Sequence, residues 1–307
     1  MIRPEGSWVA IPTPFTEDDE VDFPGFEKLV DFQAEHGTNG LLLMGSTGES
    51  TALTIEERRE ILDRVLAYAK DRIPVLAGTT CGNTKLTIEL SQYAQQAGAD
   101  GLLLVVPPYL KPTQDGVYEH LKSVAEAVDI PVAIYNNPGR VGVNIEPATV
   151  VALAELPNLV ADKEAMPNIS QLVQIRRQAG DKINLLCCDA PGFSLIVPTL
   201  ALGGHGTANI SGNAIPQEMV EMSRPWLSWE DVQRTRELLF EYYSLMAALY
   251  SLPNPIVVKA ALRLLGLPAG HVRRPLLDME ERQTQDLRAL MDRMGVMDKY
   301  GQGKRRA

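Results

Sequence analysis

Polar and apolar positions along this chain fall into two alternating kinds of segment. Short apolar runs of strand length stand at 8–11, 40–44, 75–78, 101–106, 132–135, 159–163, 183–188 and about 206–210. Between them, at 23–35, 54–69, 84–97, 115–127, 147–155, 169–179 and 193–202, apolar residues recur at helical spacing. The first kind predicts buried strands and the second amphipathic helices. Boundary residues agree with that division. Thr54-Ile55-Glu56-Glu57 has capping-box spacing, with Thr54 at the N-cap and Glu57 three residues on. Gly98 and Gly180 follow helical runs, where a left-handed C-cap is wanted. Pro74 and Pro131 open strands, where a missing N–H does no harm.

Eight strand–helix units predict a parallel sheet, either closed into a barrel or open and doubly wound. The count of eight, and the absence of a Gly-x-Gly-x-x-Gly after the first strand, favour the α/β class with a (β/α)8 TIM barrel. After the eighth strand the pattern becomes helical only. Three further helices are expected at 228–250, 256–265 and 278–294. We divide the chain into a catalytic barrel at 1–225 and a C-terminal helical extension at 226–307, with no flexible linker between them.

Charge and cysteine content narrow the partners. Lys and Arg total 29 against 39 Asp and Glu, a formal charge of -10. That balance disfavours nucleic acid and anionic membranes, while a few buried cations can still draw an anionic substrate into one cleft. The three cysteines, Cys81, Cys187 and Cys188, fit neither a disulfide framework nor a zinc pattern. None of His36, His120, His205 and His271 pairs with Cys or a carboxylate at metal-ligand spacing, so no metal is expected. No signal-peptide pattern is present, and no apolar run reaches the roughly 18 residues a membrane span needs, so a cytoplasmic location is expected. The polar tail 301–306 is expected to fray. Gly203-Gly204-His205-Gly206 reads as a phosphate cradle or a plain turn, and the turn is the simpler reading.

In a barrel of this kind the working residues stand at the C-terminal ends of the strands. Lys163 closes the sixth apolar run. In a barrel mouth, loss of water favours its neutral amine, which can attack a ketone to give an imine; at a strand end it can equally snorkel to solvent. Tyr135 closes the fifth run, as a proton carrier beside that amine or as a half-buried core residue. Arg140, in the turn after Pro138-Gly139, suits a bidentate carboxylate clamp, although most arginines are surface residues. The small, hydroxylic turn Gly45-Ser46-Thr47-Gly48 offers backbone N–H groups to a carboxylate, or is an ordinary tight turn. Their convergence on one rim favours the chemical reading over the bland one.

These residues resemble the dihydrodipicolinate synthase / N-acetylneuraminate lyase family, from Trp8 to about Met294. The resemblance is carried by Gly40-Leu41-Leu42-Leu43-Met44-Gly45-Ser46-Thr47-Gly48-Glu49-Ser50 with Glu57 downstream, and by Tyr135-Asn136-Asn137-Pro138 with Lys163. It implies the barrel with helical extension, and a homotetramer or homodimer of this chain. It also implies small-molecule substrates, pyruvate or another 2-oxo acid plus an aldehyde, with no cofactor beyond a covalent imine to Lys163. Tyr135 then falls on the proton-relay phenol. Ser46 and Thr47 fall on the hydroxyls that bind the pyruvate carboxylate and continue the relay, and Gly48 lies in the same turn. Tyr109 matches the tyrosine lent across the tight-dimer interface. Arg140 matches the arginine near the second substrate's carboxylate, and Ala208 and Cys188 are assigned to the substrate pocket. Asn254-Pro255-Ile256-Val257-Val258-Lys259 resembles the Asn-Pro-x-x-x-Lys element of the synthases.

The departures are specific. The synthases usually have Thr-Thr where this chain has Ser46-Thr47. Cys188 stands at a glycine position, where a side chain narrows the pocket floor. Asp162 replaces a usually apolar neighbour of the lysine and by strand alternation points to the helix layer, where a buried carboxylate needs partners. Ile55, Arg58, Gly82, Leu86 and Pro108 match the family's lysine-feedback site poorly, so inhibition by free lysine is not expected. The resemblance implies the synthase branch, condensing pyruvate with aspartate semialdehyde in lysine biosynthesis. The alternative is a 2-keto-3-deoxy sugar-acid aldolase or dehydratase, which Ser46 and Cys188 favour. A non-catalytic 2-oxo-acid-binding paralogue is the alternative of another class.

Overall fold

The structure, a computed structural model, describes residues 2–302; most of the tail expected to fray, 303–306, lies outside the described residues. Eight parallel strands close on themselves in sequence order: β1 (Gly6–Ala10), β2 (Gly40–Leu43), β3 (Val75–Gly78), β4 (Gly101–Val105), β5 (Val132–Asn136), β6 (Leu159–Glu164), β7 (Asn184–Cys187) and β8 (Gly206–Asn209). β8 pairs back onto β1 through Trp8 and Ala208. Crossover helices follow at Phe23–Glu35, Ile55–Ala69, Thr84–Gln96, Gln114–Glu126, Pro147–Leu153, Ile169–Ala179 and Ile196–Ala201. The barrel expected from the apolar periodicity is the fold observed, with element ends displaced by one to three residues at most boundaries.

The inside of the barrel is a packed layer. Trp8, Leu42, Leu76, Leu103, Ala133, Ala161, Leu186 and Ala208 contribute one inward side chain from each strand. The one large ring is fitted by small neighbours. A Cβ at Gly40 would lie 2.4 Å from the Trp8 ring, so only glycine leaves room for it. Truncating Trp8 would cost about 3–5 kcal/mol, as for other large buried side chains.

Thr54 caps the second helix in the full reciprocal capping box. Gly98 and Gly180 take positive φ after their helices, but Gly180, at φ 58° and ψ -132°, lies outside the left-handed region expected of it. Two short helices escaped the sequence reading. Pro138–Val141 follows β5, and Pro216–Met222 closes the barrel after β8. Pro138–Val141, at 4 residues, is too short to show a helical period. Beyond them lie Trp229–Leu249, Ile256–Leu264, Glu281–Arg293 and Val296–Tyr300, four helices where three were expected. No helix among the described residues is long and apolar enough to cross a membrane.

Candidate active site

β5 and β6 pair with Tyr135 opposite Lys163, so two neighbouring strands deliver a phenol and an amine to one level of the barrel mouth. Ala161 belongs to the inward layer, and two residues on, Lys163 faces inward as well. Only 7% of Lys163 is exposed. Its Nζ lies 4.2 Å from the centre of the Tyr135 ring, and among the described residues it has no hydrogen-bond or ion-pair partner. Burial holds its pKa below the ordinary lysine value; Arg140 pushes the same way, while Cys188 and Asp189 oppose. The neutral, nucleophilic amine is thereby favoured.

Burial pushes the Tyr135 phenol well up, so it keeps its proton. Asn137 donates from Nδ2 to the Tyr135 oxygen at 2.7 Å, which leaves the phenol's own hydrogen free for another acceptor. The Asn137 Oδ1 accepts from the Arg140 N–H at 3.2 Å and so caps the short helix Pro138–Val141. One amide therefore sets both the phenol and the loop that carries Arg140. Glu164 secures the same loop from behind. Its carboxylate accepts from Asn136, Gln171 and the Met166 N–H, and Asn136 in turn accepts from the Ile145 N–H.

The turn after β2 is tightly built. Met44 and Glu49 sit in the left-handed region at φ 53° and 51°, which costs energy for a residue with a side chain. A Cβ at Gly48 would meet the Met44 Cα at 2.9 Å, and one at Gly78 would meet the Met44 carbonyl oxygen at 2.4 Å. Glycine is therefore needed where the chain turns and where β3 passes it. Glu49 is held by a 2.6 Å ion pair to Lys259 and by the Arg273 N–H at 2.8 Å. Thr47 is buried, and Asn254 donates to its Oγ1 at 2.8 Å. Glu57, besides capping its helix, grips Arg273 with both oxygens. The C-terminal helices thus brace the turn from outside the barrel.

A cavity of about 410 Å³ opens at this rim. Its polar lining includes Ser46, Tyr135, Asn137, Arg140, Asn254 and Arg273, with Leu103, Val105 and Val141 as apolar wall. Of the residues singled out from the sequence, Ser46, Tyr135 and Arg140 line it directly. Lys163 lies below it, against the inward layer that also holds Ala208. Thr47 and Gly48 form the turn behind Ser46. Cys188 is buried beyond the end of β7 and lies 3.3 Å from the Tyr250 hydroxyl. Tyr109 does not join the site within one chain: it is 92% exposed, at φ 82°. Asn137 and Asn254 were given no role from sequence, although both stand inside quoted motifs. Asp162 points away from the mouth, and neither of its oxygens has a partner among the described residues. Among those residues no group of three or more His, Cys, Asp and Glu could hold a metal ion.

Comparison with known proteins gives one answer. The model of the dihydrodipicolinate synthetase family matches residues 3–294. A 4-hydroxy-tetrahydrodipicolinate synthase of Methanocaldococcus jannaschii is 39% identical over 294 residues, covering 95% of this chain and 99% of the relative. The crystal structure of a dihydrodipicolinate synthase from Aquifex aeolicus superposes with a TM-score of 0.91 at 39% identity, covering 95% and 99% of the two chains. A solved monomeric dihydrodipicolinate synthase variant superposes at 0.88 with 36% identity, covering 95% and 97%.

Proposed function

The chain belongs to the dihydrodipicolinate synthetase family, and from that premise we propose that it is a 4-hydroxy-tetrahydrodipicolinate synthase, condensing pyruvate with aspartate semialdehyde in lysine biosynthesis. The observation that carries the reading is the register pair of Lys163 and Tyr135, an unpaired buried amine over a protonated phenol beneath a cavity with a guanidinium on its rim.

The Lys163 amine adds to the pyruvate ketone, and the carbinolamine loses water to leave an iminium. The Ser46 and Thr47 hydroxyls and the N–H groups of their turn receive the pyruvate carboxylate. Loss of a C3 proton gives the enamine, whose C3 attacks the aldehyde carbon, while the aldehyde oxygen takes up a proton. The substrate's own amine then displaces Lys163 from C2, closing the ring and freeing the lysine. Tyr135 carries protons in these steps, because its phenol is protonated and its hydrogen is not committed to Asn137. Arg140 offers the second substrate's carboxylate a bidentate partner. The covalent imine serves in place of a cofactor.

Self-association through the face bearing Tyr109 belongs to the same reading, since the fully exposed phenol and the exposed Leu110 beside it fit a residue lent to a second copy. Incubation with pyruvate, borohydride reduction and mass mapping tests the chemistry. The expected adduct lies on Lys163, with turnover on adding aspartate semialdehyde. An adduct without that turnover would hand the site to the sugar-acid aldolases, and no adduct would remove the reading altogether.

A further inference from the structure

Cys188 continues the inward face of β7, two residues beyond Leu186, which pairs in register with Lys163. Its N–H donates to the Glu164 carbonyl at 2.8 Å, so it is fixed beside β6 at the level of the amine. Tyr250, at the end of the helix Trp229–Leu249, brings its hydroxyl within 3.3 Å of the Cys188 sulfur and also bonds Asp189 Oδ1. Asp189 is fully buried and accepts from the N–H groups of Ile210 and Ser211 at 3.1 and 3.0 Å.

The order of protons in this chain follows from what each group can give. A carboxylate only accepts, so Tyr250 donates its one hydrogen to Asp189. The phenol oxygen is then left to accept, and the Cys188 S–H is the donor it meets. The thiol hydrogen is therefore committed to Tyr250, and three donors hold the Asp189 carboxylate.

We infer that Tyr250 is a positioning residue for the nucleophile: by giving its proton to Asp189 and taking that of Cys188, it withholds the Asp189 charge from Lys163 and holds the thiol as a neutral wall beside the amine. The inference rests on Lys163 being the imine-forming lysine. The titratable groups around that amine are Tyr135 from β5, Arg140 from the loop after it, Cys187, Cys188 and Asp189 from the end of β7, and Tyr250. Asp189 is the one carboxylate among them. With one donor fewer its charge reaches Lys163 more strongly and stabilises the ammonium.

The test is the pH dependence of borohydride trapping of pyruvate on Lys163, in the full-length protein and in Tyr250→Phe, Cys188→Ala and Cys188→Ser. Tyr250→Phe is expected to move the midpoint up by about one pH unit, which is roughly a tenfold loss of trapping on the acid side, with the alkaline plateau kept. Both Cys188 variants keep the Tyr250–Asp189 bond and are expected to move the midpoint by less than Tyr250→Phe does. A uniform loss at every pH in Tyr250→Phe, or an equal midpoint shift in Cys188→Ser, overturns the inference. Absence of any Lys163 adduct in the unaltered protein refutes the proposed function instead.

Discussion

Lys163 and Lys259 are both buried, and each lies over an aromatic ring. Lys163 Nζ stands 4.2 Å from the Tyr135 ring centre and Lys259 Nζ 4.3 Å from that of Phe15. Burial lowers the pKa of both, that of Lys259 to about 8 even though Glu49 pulls the other way. They part company in their partners. Lys259 has the Glu49 carboxylate at 2.6 Å and the His271 carbonyl at 2.5 Å, while Lys163 has neither ion pair nor hydrogen bond among the described residues. A buried amine held between a carboxylate and a carbonyl is a strut, whereas one left uncommitted can form a new bond. Burial alone distinguishes nothing here; the difference lies in satisfaction.

The largest effect expected is on Lys163. Lys163→Ala should reduce synthase turnover at least about a thousandfold, as loss of a covalent nucleophile does, while the melting temperature holds or rises because no partner is orphaned. Steady-state kinetics beside a thermal melt would show both. A variant that unfolds, or one that keeps a tenth of its turnover, breaks the comparison.

Lys259→Met should do the reverse. It leaves Glu49 buried and uncompensated, at a cost of about 3–5 kcal/mol in denaturant unfolding. The double variant Lys259→Met/Glu49→Gln should recover most of that loss. Should the single variant unfold at the same denaturant concentration as the parent, the ion pair is not the strut proposed.

A smaller effect sharpens the link between the two lysines. Asn254 sits five residues before Lys259 in the same segment and donates to Thr47. Asn254→Ala removes one neutral hydrogen bond, worth about 0.5–1.5 kcal/mol. The expected outcome is a rise of roughly two- to tenfold in KM for pyruvate with kcat little changed. A fall in kcat at constant KM would place Asn254 in the chemistry instead of in the turn.

Much of this was legible in the chain, for identifiable reasons. Strand and helix periods survive wherever an element is long enough to repeat, which is why the barrel was readable and the four residues of Pro138–Val141 were not. Lys163, Tyr135 and Arg140 were singled out because strand ends mark the working face of a barrel. Asn137 and Asn254 were visible as letters in motifs, but their roles depend on which oxygen each amide reaches. Tyr250 gave no signal. It lies 61 positions from Asp189, and only the path of the C-terminal helices brings them together. Cys188 was picked out as an intrusion on the pocket floor, and the structure adds that its thiol is bonded to Tyr250.

Asp162 adds a second unsatisfied ionisable group to the comparison, on the opposite face of β6 from Lys163. Burial raises its pKa well above the usual carboxylate value and Glu164 adds to the effect, while burial pushes Glu164 itself up to about 7. Both folded-state values lie above the unfolded ones, so their contribution to stability is full below about pH 4 and falls as pH rises through neutrality. Asp162→Asn keeps the shape and cannot ionise. At pH 4 it should match the parent in urea unfolding. At pH 8 it should be the more stable of the two, because the unfolded parent releases a proton that burial makes the folded parent keep. Equal differences at the two pH values would mean that Asp162 binds the same number of protons folded and unfolded, and that burial does not raise its pKa. The sign of the effect is itself informative: an unpartnered acid in the helix layer survives by keeping its proton, whereas the unpartnered lysine across the strand is useful because it gives its proton up.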